Sequence, residues 1–238
     1  MTTAPAFDRL AERYDQVWTE SAIGRAQRDQ VWRVIDPLFR PGARVLDVGC
    51  GTGVDAAHLA GRGVSVHAVD PSPRMIEVAE RRGGFTTEVR AADEIAGSFD
   101  GALSDFGALN CVDDIDAVGR RLADVVRPGG YLAICTIGRF CGWELLFHPW
   151  RRWRGSASSS IGVTVQYWTV AQLRRALPGF RLERWVGIGL FVPPSYVRMP
   201  AWLVRWCAAL DRMLAGVPVL RGMADHRLLI LRREGDAG

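Results

Sequence analysis

Between residues 44 and 138, short apolar runs alternate with stretches in which apolar side chains recur every three or four positions. Runs of four to nine apolar residues suit strands buried on both faces, and the longer-period stretches suit amphipathic helices. The alternation predicts a parallel sheet with crossover helices, an α/β class. Strands are expected at 44–50, 65–70, 86–93, 99–106, 130–138, 180–189 and 226–233. Two helices, 7–18 and 25–39, precede the first of them. Ser72 with Pro73 forms an N-cap and first-turn pair for a helix to Arg82. Asp113 is placed to cap a helix to Val126, and Thr169 with Gln172 has the form of a capping box. A further helix is expected near 200–214.

From 139 onward the pattern is less regular and richer in Trp, Arg, Pro and Ser. The expected organisation is a core at 1–138, an inserted lid at 139–168, and the end of the core sheet at 169–238 with a second insertion at 190–225. A chain of 238 residues suits one α/β domain with such additions.

Composition narrows the chemistry. All 30 residues of the Lys+Arg total are arginine. Without lysine there is no Schiff-base nucleophile and no Walker-type phosphate lysine. The formal net charge of +4 permits contact with nucleic acid or an anionic membrane without requiring either. The five cysteines are scattered, with no CxxC pair and no zinc spacing, so free thiols and no metal centre are expected. The first ten residues lack the apolar stretch of a signal peptide, and no run of about 18 apolar residues is present. A cytoplasmic location is the expectation.

The first strand runs into Asp47-Val48-Gly49-Cys50-Gly51-Thr52-Gly53. Glycines between a strand and a helix let backbone approach a ligand, and the free N–H groups at the helix start favour polar groups. Asp70 closes the second strand, where a doubly wound fold places a ribose-binding acid. Asp93 closes the third and would lie beside an adenine amino group. The Gly-x-Gly-x-Gly spacing is not that of a dinucleotide site.

Val45 to Gly53, Ala68 to Met75, Phe99 to Phe106 and Leu122 to Gly130, in that order, resemble the class I SAM-dependent methyltransferases. The resemblance covers roughly residues 7–138. It implies a doubly wound, Rossmann-like sheet of seven strands, mostly parallel, with an antiparallel last strand at one edge. It implies S-adenosylmethionine as cofactor. Asp47, Gly49, Cys50 and Gly51 would then surround the methionine part, and Asp70 would hold the ribose. Pro71 and Met75 would flank the adenine, with Ala92 and Asp93 at its edge. Phe106 would form the floor beside the sulfonium, and Tyr14 would close over the cofactor and stand near the chemistry.

Methyl transfer from a sulfonium depends chiefly on alignment and on excluding water, so it need leave no catalytic signature. His148 is the best candidate for a base; His58, His67 and His226 read as structural. Ser104-Asp105-Phe106-Gly107 lacks the Pro-Pro-aromatic pattern of enzymes that methylate base amines. Asp105, Asn110 and Asp113 are too irregularly spaced for a metal site. Residues 139–154 mix Trp143, Phe147, Trp150 and Trp153 with four arginines. They suit a lid over an apolar substrate, and also a membrane-surface patch, a nucleic-acid contact or a helix packed on the core. The expected partner is a small-molecule substrate. RNA methylation, another use of the cofactor such as cyclisation, and a non-catalytic scaffold stay open, as does the oligomeric state.

Overall fold

The computed structural model describes residues 4–147, 157–158 and 162–235. Seven strands form one sheet: β1 (Arg44–Val48), β2 (Ser65–Asp70), β3 (Thr86–Val89), β4 (Phe99–Ser104), β5 (Val126–Ile137), β8 (Phe180–Ile188) and β9 (His226–Arg233). Their spatial order is β3-β2-β1-β4-β5-β9-β8. Pairs among β1 to β5 are parallel, and β9 runs antiparallel to both β5 and β8. The expected doubly wound sheet with an antiparallel last strand is therefore present. Two short strands, β6 (Ala157–Ser158) and β7 (Thr164–Val165), make a separate ribbon between β5 and α8 (Val170–Ala176).

Helices cover both faces, which is why the strands read as continuous apolar runs. On β1, Leu46 and Val48 point to the face carrying α6 (Ile115–Val125) and α8 (Val170–Ala176), where Leu122 and Leu173 are buried. Val45 points to the other face, against α3 (Ala22–Ile35) and α4 (Val54–Gly61), where Val31, Ile35 and Leu59 are buried. On β9, Leu229 and Leu231 join the first layer, and Leu228 and Ile230 the second. Helix α5 (Pro73–Arg82) starts as read, with Ser72 Oγ accepting the Met75 amide at 3.1 Å. The Thr169–Gln172 capping box is formed at α8.

Several boundaries differ from the reading. The first, third and fourth strands end at Val48, Val89 and Ser104, before the loop residues that follow them, because those loops turn away to line a cleft. The fifth begins earlier, at Val126: the predicted turn at Arg127–Gly130 is a bulge inside the strand, between the pairs Phe99–Val126 and Gly101–Tyr131. Asp114, not Asp113, caps α6, its carboxylate accepting the Ala117 amide at 2.9 Å. The expected helix at 7–18 is three short pieces: α1 (Ala4–Asp8), α2 (Ala11–Tyr14) and a π-helical turn at Asp15–Thr19. These pieces follow the surface of the cleft instead of a straight axis. Helix α7 (Gly142–Phe147) follows β5, and α9 (Ala201–Leu214) lies between β8 and β9. His148 and most of the Trp- and Arg-rich segment after it lie outside the described residues.

Candidate active site

The strand order reverses at β1, with β2 on one side and β4 on the other. Open α/β sheets bind ligands at that switch point, beyond the carboxyl ends of the strands. A cleft of 580 Å³ lies there. Tyr14, Asp47, Gly49, Cys50, Gly51, Asp70, Pro71, Met75, Ala92, Asp93 and Phe106 all line it. Residues spread over 93 positions of sequence thus meet on one concave surface: most lie at or just beyond the carboxyl ends of β1, β2, β3 and β4, and Tyr14 reaches it from α2.

The loop after β1 needs its glycines. Gly49 has φ of 72°, and a Cβ there would sit 2.4 Å from the Ala108 Cβ. Gly51 has φ of 53° with open space where a side chain would go. Its amide donates to Asp70 Oδ2 at 2.9 Å, and the Ser72 amide donates to Asp70 Oδ1 at 2.9 Å. Burial pushes the Asp70 carboxyl up to about 6, against the pull of these two amides. Each oxygen keeps a lone pair for another donor.

Behind the loop is a group of charges. Asp47, Asp55 and Asp105 are buried beside one arginine, Arg28 of α3. Arg28 pairs with Asp55, whose other oxygen accepts Trp32 Nε1–H at 2.7 Å. Asp47 and Asp105 each keep one buried oxygen with no hydrogen-bond partner. Burial, and then the neighbouring carboxylates, hold both groups well above the usual range, while Arg28 opposes the shift. The Cys50 thiol is raised well above its ordinary value by burial and by Asp47, so it is no thiolate nucleophile.

Phe106 forms the floor. At φ 44° it is the only non-glycine with positive φ among the described residues. Such a conformation costs about 1–3 kcal/mol and persists only where its surroundings enforce it. Here the Phe106 amide donates to Asp105 Oδ1 at 2.7 Å. The ring meets Trp18 edge-on at 4.5 Å and His226 at 5.5 Å. The Arg28 guanidinium lies 4.8 Å from both the Trp18 and Phe106 rings.

The N-terminal pieces close one side. Asp8 accepts from Ser72 Oγ at 2.6 Å and from the Arg74 amide at 3.2 Å. Glu12 pairs with Arg81 at 2.7 Å, and Asp15 with Arg82 at 2.5 Å and with Thr52 Oγ at 2.8 Å. These contacts set Phe7 and Tyr14 on the cleft wall. Burial pushes the Tyr14 phenol up to about 12, opposed by Arg28, so it is a hydrogen-bond donor and no base near neutrality. Val163 and Val165, before α8, line the same cleft.

Among the residues left out of the site, Asn110 joins three segments: it accepts the Ile137 amide at 2.8 Å and donates to the Gln166 carbonyl at 2.5 Å. His58 stacks on Trp32 at 3.8 Å with Nε2 2.7 Å from Asp36, and His67 sits between Thr86 and Glu88. Sequence reasoning missed Trp18, Arg28 and Asp55. The only signal was two charges at helical positions whose periodicity faces inward.

Residues 23–183 match a family described as a methyltransferase domain. The chain belongs to that family. A demethylmenaquinone methyltransferase of Mycobacterium sp. (strain KMS) is 36% identical to this methyltransferase-domain chain over 140 residues, 56% of this chain and 58% of that protein. The chain spans less than two thirds of the length of the curated relatives it matches. Among solved structures, a possible histamine N-methyltransferase from Thermotoga maritima superposes with a TM-score of 0.67 at 19% identity, covering 98% of this chain and all of that one. The Burkholderia thailandensis 1,6-didemethyltoxoflavin-N1-methyltransferase, solved with its substrate and S-adenosylhomocysteine, gives 0.60 at 21%, covering 98% and 87%. At these identities the superpositions establish the shared fold.

Proposed function

We propose that this chain binds S-adenosylmethionine in the 580 Å³ cleft and transfers its methyl group to a small, fairly apolar acceptor. The observation that carries the reading is the convergence of Asp47, Gly49, Gly51, Asp70, Met75 and Asp93 on that one surface. The residues present fit the cofactor. Asp70 has free lone pairs for ribose hydroxyls, and the orphaned Asp47 oxygen would accept from an ammonium. Pro71, Met75 and Ala92 offer an apolar slot for adenine, with Asp93 at its rim.

When bound, the cofactor supplies an electrophilic methyl on a sulfonium whose charge vanishes as the new bond forms. The chain's own task is to align the acceptor and keep water out. Phe106, backed by Trp18, gives an apolar floor, Val163 and Val165 an apolar wall, and the N-terminal pieces a cover. Tyr14, protonated at neutral pH, would hold an acceptor or cofactor oxygen as a donor. His148 keeps its standing as the candidate base for an acceptor that must lose a proton. The demethylmenaquinone activity named for the relative makes a demethylmenaquinone the first acceptor to assay.

Isothermal titration with S-adenosylmethionine and S-adenosylhomocysteine tests the binding step. Saturable heat that an Asp70→Ala variant abolishes is expected, and no heat from the folded wild type would overturn the reading. Mass spectrometry of a turnover mixture tests the chemistry. Adenosylhomocysteine is the expected product, whereas methylthioadenosine would assign another use of the cofactor.

A further inference from the structure

Helix α9 is apolar on its outward side as well as on the side that packs inward through Val204, Cys207 and Ala208. Its one acid, Asp211, is buried, and its carboxylate accepts the Phe191 and Val192 amides at 2.6 and 3.3 Å. Trp202, Trp206, Leu210 and Met213 stand in solvent, 59, 69, 43 and 77% exposed. At about 3.6 residues per turn these four share one face, opposite the buried Val204 and Asp211. Val217 and Val219, just past the helix, are exposed as well. Large contiguous apolar patches on folded domains mark interaction sites more often than ordinary surface.

The charge around it is mostly positive. A groove of 550 Å³ runs between α9 and α3, and Arg25, Arg33, Arg205, Arg212 and Trp202 line it with Asp29 as its only acid. None of Arg33, Arg205 and Arg212 is in an ion pair among the described residues. From 184 to 224 the sequence holds five arginines, and Asp211, turned inward, is its only acid. No helix among the described residues is long and apolar enough to cross a membrane.

We propose that this face docks on the surface of a membrane rich in anionic phospholipid. Trp202, Trp206, Leu210 and Met213 enter the boundary between headgroups and acyl chains, where indole rings are favoured for their apolar body and polar N–H. The arginines of the groove meet the phosphates of the same leaflet, and their long stems lie along the apolar stripe. A second copy of the chain matches less well, since this face offers no exposed acid on α9 to answer Arg205 and Arg212. The proposal is independent of the methyl-transfer reading.

Co-sedimentation of the full chain with vesicles is the test. Binding is expected to vesicles of phosphatidylcholine with phosphatidylglycerol, with a blue shift of tryptophan emission, weakening as salt is raised. Arg205→Ser with Arg212→Ser is expected to weaken binding by about thirtyfold. Trp202→Ser with Trp206→Ser is expected to abolish the blue shift. All four side chains are exposed, so both variants should keep the wild-type melting temperature, which checks that they fold. The proposal fails if the wild type stays in the supernatant with these vesicles, if it binds vesicles of phosphatidylcholine alone equally well, or if both folded variants bind like wild type. It also fails if sedimentation without lipid shows a dimer that Trp202→Ser with Trp206→Ser dissociates, which assigns the face to a second copy.

Discussion

The Gly51 amide donates to Asp70 Oδ2 at 2.9 Å, joining the loop after β1 to the end of β2. The bond makes the ionised carboxylate part of the loop's architecture. Because burial raises that group from 3.8 to about 6, its ionisation falls within an accessible pH range.

A carboxyl raised in the folded chain costs stability as pH rises from its ordinary value to its folded one, here from 3.8 to about 6. Ligand binding that needs the carboxylate runs the other way. The Kd for S-adenosylhomocysteine should fall by about tenfold between pH 5 and 7. Titration calorimetry at the two pH values checks this, and an Asp70→Asn variant should bind weakly with no such dependence.

Arg28 is the cation that faces Asp47, Asp55 and Asp105 in a buried setting. An Arg28→Met variant should lose about 3–5 kcal/mol, since it leaves buried carboxylates unpaired. Asp47 and Asp105 would rise further, so the deficit should grow as pH rises. Denaturant unfolding at pH 5 and 8 measures it. Adding Asp55→Leu should recover part of the loss, and equal deficits at both pH values would contradict the argument.

Gly49 and Gly51 both have positive φ but differ in their surroundings. Gly51→Ala meets open space and should cost about 1–2 kcal/mol from its backbone alone. Gly49→Ala adds a collision with Ala108 and should cost about 3 kcal/mol or more. Thermal unfolding of the two variants orders them.

Asp15 holds both Thr52 and Arg82. Asp15→Ala should free the turn at Asp15–Thr19 while leaving the sheet intact. Hydrogen exchange of residues 4–19 should quicken by about tenfold, and exchange in β1 and β4 should not change.

The parts of the site that follow strand ends were legible in sequence. Asp47, Asp70 and the glycine loop announce themselves because strand period, turn chemistry and acid position coincide within a few residues. Arg28 with Asp55 did not, because the pair spans 27 positions and two helices that pack only once the sheet exists. Trp18 reached the back of Phe106 through a π-helical turn that propensity does not encode. Asp113 and Asp114 are equally good caps by residue type, and only the register of α6 chose between them. The outward face of α9 was hidden for a different reason. Its period reads as an amphipathic helix of either sense, and the buried Asp211 decides which side faces in.

The place of β9 in the sheet bears on how the protein is made. The ribosome delivers β8 before β9, yet β8 touches the sheet only through β9. Until residues 226–233 emerge, β5 presents a bare apolar edge and β8 has no partner. The nascent chain therefore carries an unpaired sheet edge until the 37 residues between β8 and β9 have been made, an edge of the kind that favours aggregation.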